Sequence, residues 1–220
     1  MNPPAGFLGS LARRRLGRQR RRLADPQFAF LFDEPPPREW VALDCETTGL
    51  DRRRDEIVSI GAVRIVGERL LTSERLELLV QPERGVSPES VRIHRLRERD
   101  LARGLPAQEA VRRLLHFAGS RPLVGYYLEF DLAMLNRIAR PLLGMPLPQP
   151  AVEVSALYHD YKFRQLPPYQ QHDNAGIDLR FDTMMRDLQL PLRDAHDALN
   201  DAVMAGLAFI KLRRLLGYDS

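Results

Sequence analysis

Apolar residues recur along this chain with two periods, and the switch between them predicts its elements. From Trp40 the period is that of a strand. "WVALD" (40–44) predicts a first strand and "EIVSIGAVRIV" (56–66) a second. "LLTSERLELLV" (70–80) alternates apolar with polar and predicts a third, partly exposed strand. Only Gly67 and Glu68 separate the second from the third, so these strands should form an antiparallel meander. Past Ser87 the pattern turns helical. "VRIHRLRERDLARG" reads as a helical stretch ending near Gly104, and Pro106 opens another through about Phe117, with Leu114 and Leu115 facing inward. "PLVGYY" (122–127) predicts a short buried strand, followed at once by the helix "FDLAMLNRIARPLL", where Leu132, Leu135 and Ile138 share a face. "MPLPQP" (145–150) is a loop, and "AVEVSAL" (151–157) a strand or turn leading into a Tyr-rich, Pro-broken segment up to about Gly176. Two helices close the chain, at about 177–188 and 197–216. The second carries Ala198, Ala202, Ala205, Leu207 and Ile210. A strand meander followed by strands alternating with helices predicts an α/β domain with one mixed sheet.

Residues 1–38 stand outside this pattern. Seven arginines (13, 14, 15, 18, 20, 21 and 22) fall in ten positions without an acid, and Pro35, Pro36 and Pro37 preclude helix before Trp40. The division expected is a basic, Pro-containing arm over 1–38 and a folded domain over 39–218. The formal net charge of +4 is therefore local: without those seven, 26 basic residues face 29 acidic ones. Lys occurs only at positions 162 and 211, so positive charge is almost all guanidinium, which suits bidentate phosphate contact and equally fits a GC-rich genome. The arm could bind phosphates, dock a protein partner or stay a tail. Cys45 is the single cysteine, which excludes an internal disulfide and a Cys-based zinc site and fits a reducing compartment. No run of 18 apolar residues exists to span a membrane. An Arg-rich start also has the character of a transit peptide; a cytoplasmic location is the expectation.

Candidate chemistry begins at "VALDCETTGL" (41–50), where Asp44 and Glu46 end an apolar run one residue apart. Residues two apart in a strand share a face, so both carboxylates point the same way and Cys45 points into the opposite layer. Such a pair repels unless a proton or a cation joins it. Asp131 opens a helix directly after a strand, where an Asp is also a favoured first-turn residue. In "HDALNDA" (196–202), His196 precedes a helix and Asp201 lies inside it, in an otherwise apolar Ala/Met/Leu stretch. Brought to one sheet edge, four carboxylates and one imidazole form a hard oxygen donor set suited to Mg²⁺ or Mn²⁺ and not to zinc.

D-x-E-T-T-G after an apolar strand, G-x4-F-D before a helix and H-x4-D-A in the last helix resemble the DnaQ-like, DEDDh-type 3′–5′ exonucleases over about Trp40 to Leu216. The resemblance implies a ribonuclease-H-like fold, a five-stranded mixed sheet flanked by helices. It implies that Asp44, Glu46, Asp131 and Asp201 hold two divalent ions about 4 Å apart. It also implies that His196 is the general base. The expected products are nucleoside 5′-monophosphates released from the 3′ end of a single strand, DNA before RNA. Thr47 resembles the family residue beside the terminal nucleotide, or is a turn hydroxyl. "YYLEFD" departs from the family's H-N-x-x-F-D, placing Tyr126 and Tyr127 at positions that hold the terminal sugar and base; either could stack on a base or pack against the sheet. Alternatives are an RNA-specific exonuclease of the oligoribonuclease or RNase T kind, and a catalytically silent nucleic-acid-binding module.

Overall fold

In the computed structural model, the described residues are 17, 20–171, 176–193 and 196–218. Most of the arginine run, and the loop around His172, lie outside them.

One five-stranded sheet organises the chain, in the order β3-β2-β1-β4-β5. Its strands are β1 (Glu39–Thr47), β2 (Ile57–Val66), β3 (Arg69–Leu79), β4 (Leu123–Gly125) and β5 (Ala151–Glu153). The first three form the expected antiparallel meander, while β4 pairs parallel to β1 and β5 parallel to β4. This is the mixed sheet expected of the ribonuclease-H-like fold. The helices are α1 (Pro88–His94), α2 (Glu98–Leu101), α3 (Ala107–Ala118), α4 (Leu128–Leu143), α5 (Val154–Gln165), α6 (Phe181–Asp187) and α7 (Ala198–Leu215).

The period-2 alternation of β1 divides the core into two layers. Val41, Leu43 and Cys45 pack with Leu114 and Leu115 of α3 and Met134 and Leu135 of α4. Ala42 faces the other way and packs with α5, α6 and α7, through Tyr158, Met184, Ala202, Ala205 and Phe209. Register then does the rest: Asp44 and Glu46 share the face of Ala42, so they point toward α7.

That helix lies unusually close to the sheet. Gly61, paired with Asp44, sits where a Cβ would come within 2.2 Å of the Ala198 carbonyl carbon and the Leu199 nitrogen. Further along, a Cβ on Gly206 would meet Leu70 at 2.5 Å and Ala42 at 3.3 Å. Two glycines, one on the strand and one on the helix, let α7 lie flat over β1 and β2.

Several elements differ from the pattern-based reading. Residues 26–32 form a 3₁₀ helix capped by Asp25, and Phe28, Leu31 and Phe32 are buried in the α3–α4 layer. The segment expected to be linker thus contributes core, because three large apolar side chains near its end outweigh the prolines that follow. The single helical stretch over 91–104 is two short helices, broken where Arg95 adopts φ 61° and ends α1. "AVEVSAL" splits after Glu153, whose carboxylate accepts the Ser155 N–H and caps α5, and α5 then runs through the Tyr-rich segment to Gln165. The helix expected over 177–188 is limited to α6. Among the described residues, no helix is long and apolar enough to cross a membrane.

Candidate active site

Three carboxylates converge at the end of the central strand. Asp44 and Glu46 come from β1, Asp201 from the first turn of α7, and one oxygen of each lies within 4.8 Å of the others. Asp131, in the first turn of α4 and 5 % exposed, lines the same cleft without belonging to that close trio. The cleft encloses about 660 Å³, and Thr47, Tyr126, Tyr127 and His196 also line it.

Burial and mutual repulsion make the cluster costly to ionise unless a proton or a cation joins it. Desolvation, then the charges of Asp131, Asp201 and Glu46, push the Asp44 carboxyl well above its ordinary range. Burial, with Asp201 and Asp197 behind it, raises Glu46 to about 7. Asp201 rises to about 6, mainly by burial, against the hydrogen bond from the His196 amide. Asp131 is also raised, by burial and then by Glu46, with the Cys45 backbone amide pulling the other way. Asp201 Oδ1 is buried without a hydrogen-bond partner, while its Oδ2 accepts the His196 N–H at 3.1 Å. An orphaned buried carboxylate oxygen beside two further carboxylates is the donor set a hard divalent cation requires. The residues present therefore fit a divalent metal.

The positioning devices are local. Asp197 caps α7 by accepting the Asn200 N–H at 2.8 Å, which places Asp201 one turn in. His196, just ahead of the cap, is exposed and held at φ 67°. Across the cleft, Glu153 accepts the backbone N–H groups of Tyr127 (3.1 Å) and Leu128 (2.8 Å), anchoring the start of α4 and with it Asp131. Tyr127 takes φ 54° at this cap and leaves its ring 63 % exposed, nearly parallel to Phe130 at 6.3 Å. Tyr126 is engaged in packing: its ring stacks on Phe181 at 4.6 Å and its hydroxyl donates to the Leu179 carbonyl. Thr47 Oγ1 donates to the Gly49 carbonyl at 2.7 Å, which is the turn role.

The sequence motifs assign no role to Gly61, Glu153, Leu50 or Ile93. Leu50 (82 % exposed) and Ile93 (52 %) stand at the cleft rim as bare apolar surface. Glu153 left one trace, an acid closing an apolar strand; Gly61 left only a glycine inside one. Cys45 is a buried core thiol, as its place on the strand predicted. His94 is buried at the end of α1, where Nδ1 accepts the Leu96 N–H at 3.1 Å.

Acidic side chains gathered at the carboxyl ends of β1 and at the switch from β4 to α4, in a helix–sheet–helix sandwich, define a ribonuclease-H-like domain with a hydrolase-type acidic site. The sequence profile of the RNase T family, described as Exonuclease, matches residues 41–209. The chain belongs to this DnaQ-like exonuclease family. It is 31% identical over 174 residues to a DNA polymerase III subunit epsilon-like protein of Rhodobacter capsulatus, covering 79% of this chain and 23% of that protein. It is 24% identical to the DNA polymerase III subunit epsilon of Aquifex aeolicus, over 79% of each chain. Against the PolC-type DNA polymerase III of Thermotoga maritima the identity is 27%, and the match spans only 13% of that protein. The chain thus spans less than a quarter of the Rhodobacter and Thermotoga relatives. Among solved structures, Exonuclease X in complex with 5′-overhanging duplex DNA superposes with a TM-score of 0.60 at 22% identity, over 81% of this chain and 93% of that one. The E. coli ExoI–ssDNA complex gives 0.65 at 18% identity, over 82% and 42%.

Proposed function

We propose that this chain is a divalent-metal-dependent 3′–5′ exonuclease of the DEDDh type, acting on DNA and releasing nucleoside 5′-monophosphates. The observation that carries the reading is the convergence of Asp44, Glu46 and Asp201, with an orphaned oxygen on Asp201, from segments more than 150 residues apart in the chain. DNA is favoured over RNA because relatives are named as DNA polymerase III subunits and structural neighbours were solved with DNA.

Asp44, Glu46 and Asp201 would hold divalent cations, Mg²⁺ or Mn²⁺, with Asp131 as the fourth carboxylate; a pair of ions is the number the family resemblance implies. When bound, such ions supply a water of lowered pKa and neutralise charge on the scissile phosphate. His196 takes the proton of the attacking water on a ring nitrogen, since its side chain is exposed at the cleft while its backbone is tied to Asp201. Tyr127 offers an exposed ring for the terminal base, and a base–aromatic stack contributes on the order of 1–3 kcal/mol. Tyr126 supports the cleft wall through Phe181 instead of reaching for substrate.

The test uses strands of DNA and of RNA labelled at either the 3′ or the 5′ end, incubated with Mg²⁺, Mn²⁺ or EDTA. Metal-dependent shortening from the 3′ end of DNA is expected. Shortening of RNA alone would reassign the substrate, and no shortening of either would leave a nucleic-acid-binding module.

A further inference from the structure

Away from the carboxylates, two grooves of about 770 and 900 Å³ share Arg53, Arg137 and Pro141, and so form one continuous concavity. Six arginines line it: 52, 53 and 54 from the loop after β1, 84 from the loop after β3, and 137 and 140 from α4. Three carboxylates, Glu56, Glu83 and Glu129, oppose them. The groove is therefore basic, whereas the catalytic cleft next to it is lined by acids and no arginine.

Half of these arginines build the surface and half are presented by it. Arg137 donates to the backbone carbonyls of Arg52 (2.9 Å) and Asp55, clamping the loop to α4. Arg84 donates to the Arg54 carbonyl at 3.3 Å. Arg52 pairs with Glu129 at 3.0 Å and lies over the Phe130 ring at 5.8 Å. Phe130 itself lines the catalytic cleft, so the groove starts where the cleft ends. The other three face solvent. Arg54 is 84% exposed and only 4.0 Å from Asp51 at best. Arg53 and Arg140 are exposed, and among the described residues no carboxylate pairs with either. Consecutive like charges on a loop fixed by backbone hydrogen bonds repel one another, and a linear polyanion relieves that repulsion without being buried.

We infer that this groove carries the phosphodiester backbone of the substrate several nucleotides upstream of the 3′ end being cut. The inference rests on the proposed exonuclease reading. Guanidinium groups match phosphate oxygens, and contacts to the backbone carry no base information, so binding there should be independent of sequence.

The experiment compares the wild type with the triple variant Arg53→Ala/Arg54→Ala/Arg140→Ala, which leaves Arg52, Arg84 and Arg137 in place to hold the loop. Fluorescence anisotropy over a range of KCl reads binding to a single strand of about 20 nucleotides, where the log–log salt slope should fall by about 2 units, roughly 0.7 per lost phosphate contact. A 3′-ended duplex forms the second arm; whichever substrate loses slope is the one lying in the groove. Hydrolysis of the same strand should show KM raised about tenfold with kcat held, while a nitrophenyl ester of thymidine 5′-monophosphate, too short to reach the groove, is cleaved as by the wild type. Unchanged affinity and slope on both substrates would overturn the inference. Equal losses on the ester and the long strand would also overturn it, by locating the damage in the cleft. Failure of the wild type to cleave anything would refute the exonuclease reading alone, since anisotropy still tests the groove.

Discussion

The catalytic cleft and the arginine groove adjoin through one short loop: Thr47–Leu50 borders the first and Arg52–Arg54 the second. Each concentrates charge of one sign, yet they manage it in opposite ways. In the cleft the carboxylates are buried or half-buried together, and desolvation dominates the upward shift of every one of the four. In the groove the guanidinium groups face water, donate to backbone carbonyls or, at Arg52, pair with Glu129. Buried like charge requires a compact partner at a fixed point, a proton or a metal ion. Exposed like charge is satisfied by an extended partner held loosely. Burial, not charge count, decides which kind of ligand each region takes.

Removing one member of the buried cluster should break the comparison most sharply. If Asp44 is the metal ligand proposed above, Asp44→Asn should lower kcat by roughly a thousandfold or more. Because it also removes a repelling charge, the metal-free variant should melt no lower than the wild type at pH 8. A variant both inactive and much less stable would show that Asp44 serves packing. His196→Ala should slow hydrolysis by about 10²–10⁴-fold while leaving the metal-induced rise in Tm intact, if His196 is the proposed base and not a ligand. Gly61→Ala removes no site side chain but drives a methyl group into the backbone of α7 at Ala198. Displacing Asp201 by even about 1 Å should cost about a hundredfold in rate, and the strain about 1–3 kcal/mol of stability, read by kinetics and denaturant titration.

The pH dependence follows from the raised carboxyls. With Glu46 at about 7 and Asp201 at about 6, the folded metal-free protein holds protons more tightly than the unfolded chain. Their contribution to stability is complete below the unfolded carboxyl range, about pH 4, and is lost as pH rises through 6 to 7. If manganese binds the deprotonated groups as proposed, its rise in Tm should be larger at pH 8 than at pH 5, by about 2–4 °C for each kcal/mol relieved. Equal rises at both pH values would mean that metal binds elsewhere. The smallest effect belongs to the exposed side: Arg140→Ala alone should raise KM for a long strand about twofold and leave Tm unchanged.

Much of this is legible in the sequence. Alternation in β1 placed Asp44 and Glu46 on one face, and the meander with its later strands gave the mixed sheet. The order of the D-x-E, F-D and H-x4-D motifs named the candidate ligands. Less legible were features whose cause is a neighbour distant in sequence. Residues 26–32 read as linker because three prolines follow, but Phe28 becomes core only once α3 and α4 offer it a surface. Tyr126 and Tyr127 are adjacent and chemically identical; Phe181 and Leu179 engage one, and the αL turn at the start of α4 turns the other out to solvent.

The chain alone thus determined which side chains alternate, which are acidic and which elements can form, because those depend on covalent order and local period. Only the folded structure decided that α7 approaches β2 within backbone contact at Gly61, that Asp201 joins Asp44 and Glu46 while Asp131 stays at the wall, and that arginines from three separate segments form one groove. Distance between remote segments is set by packing, which no local pattern encodes.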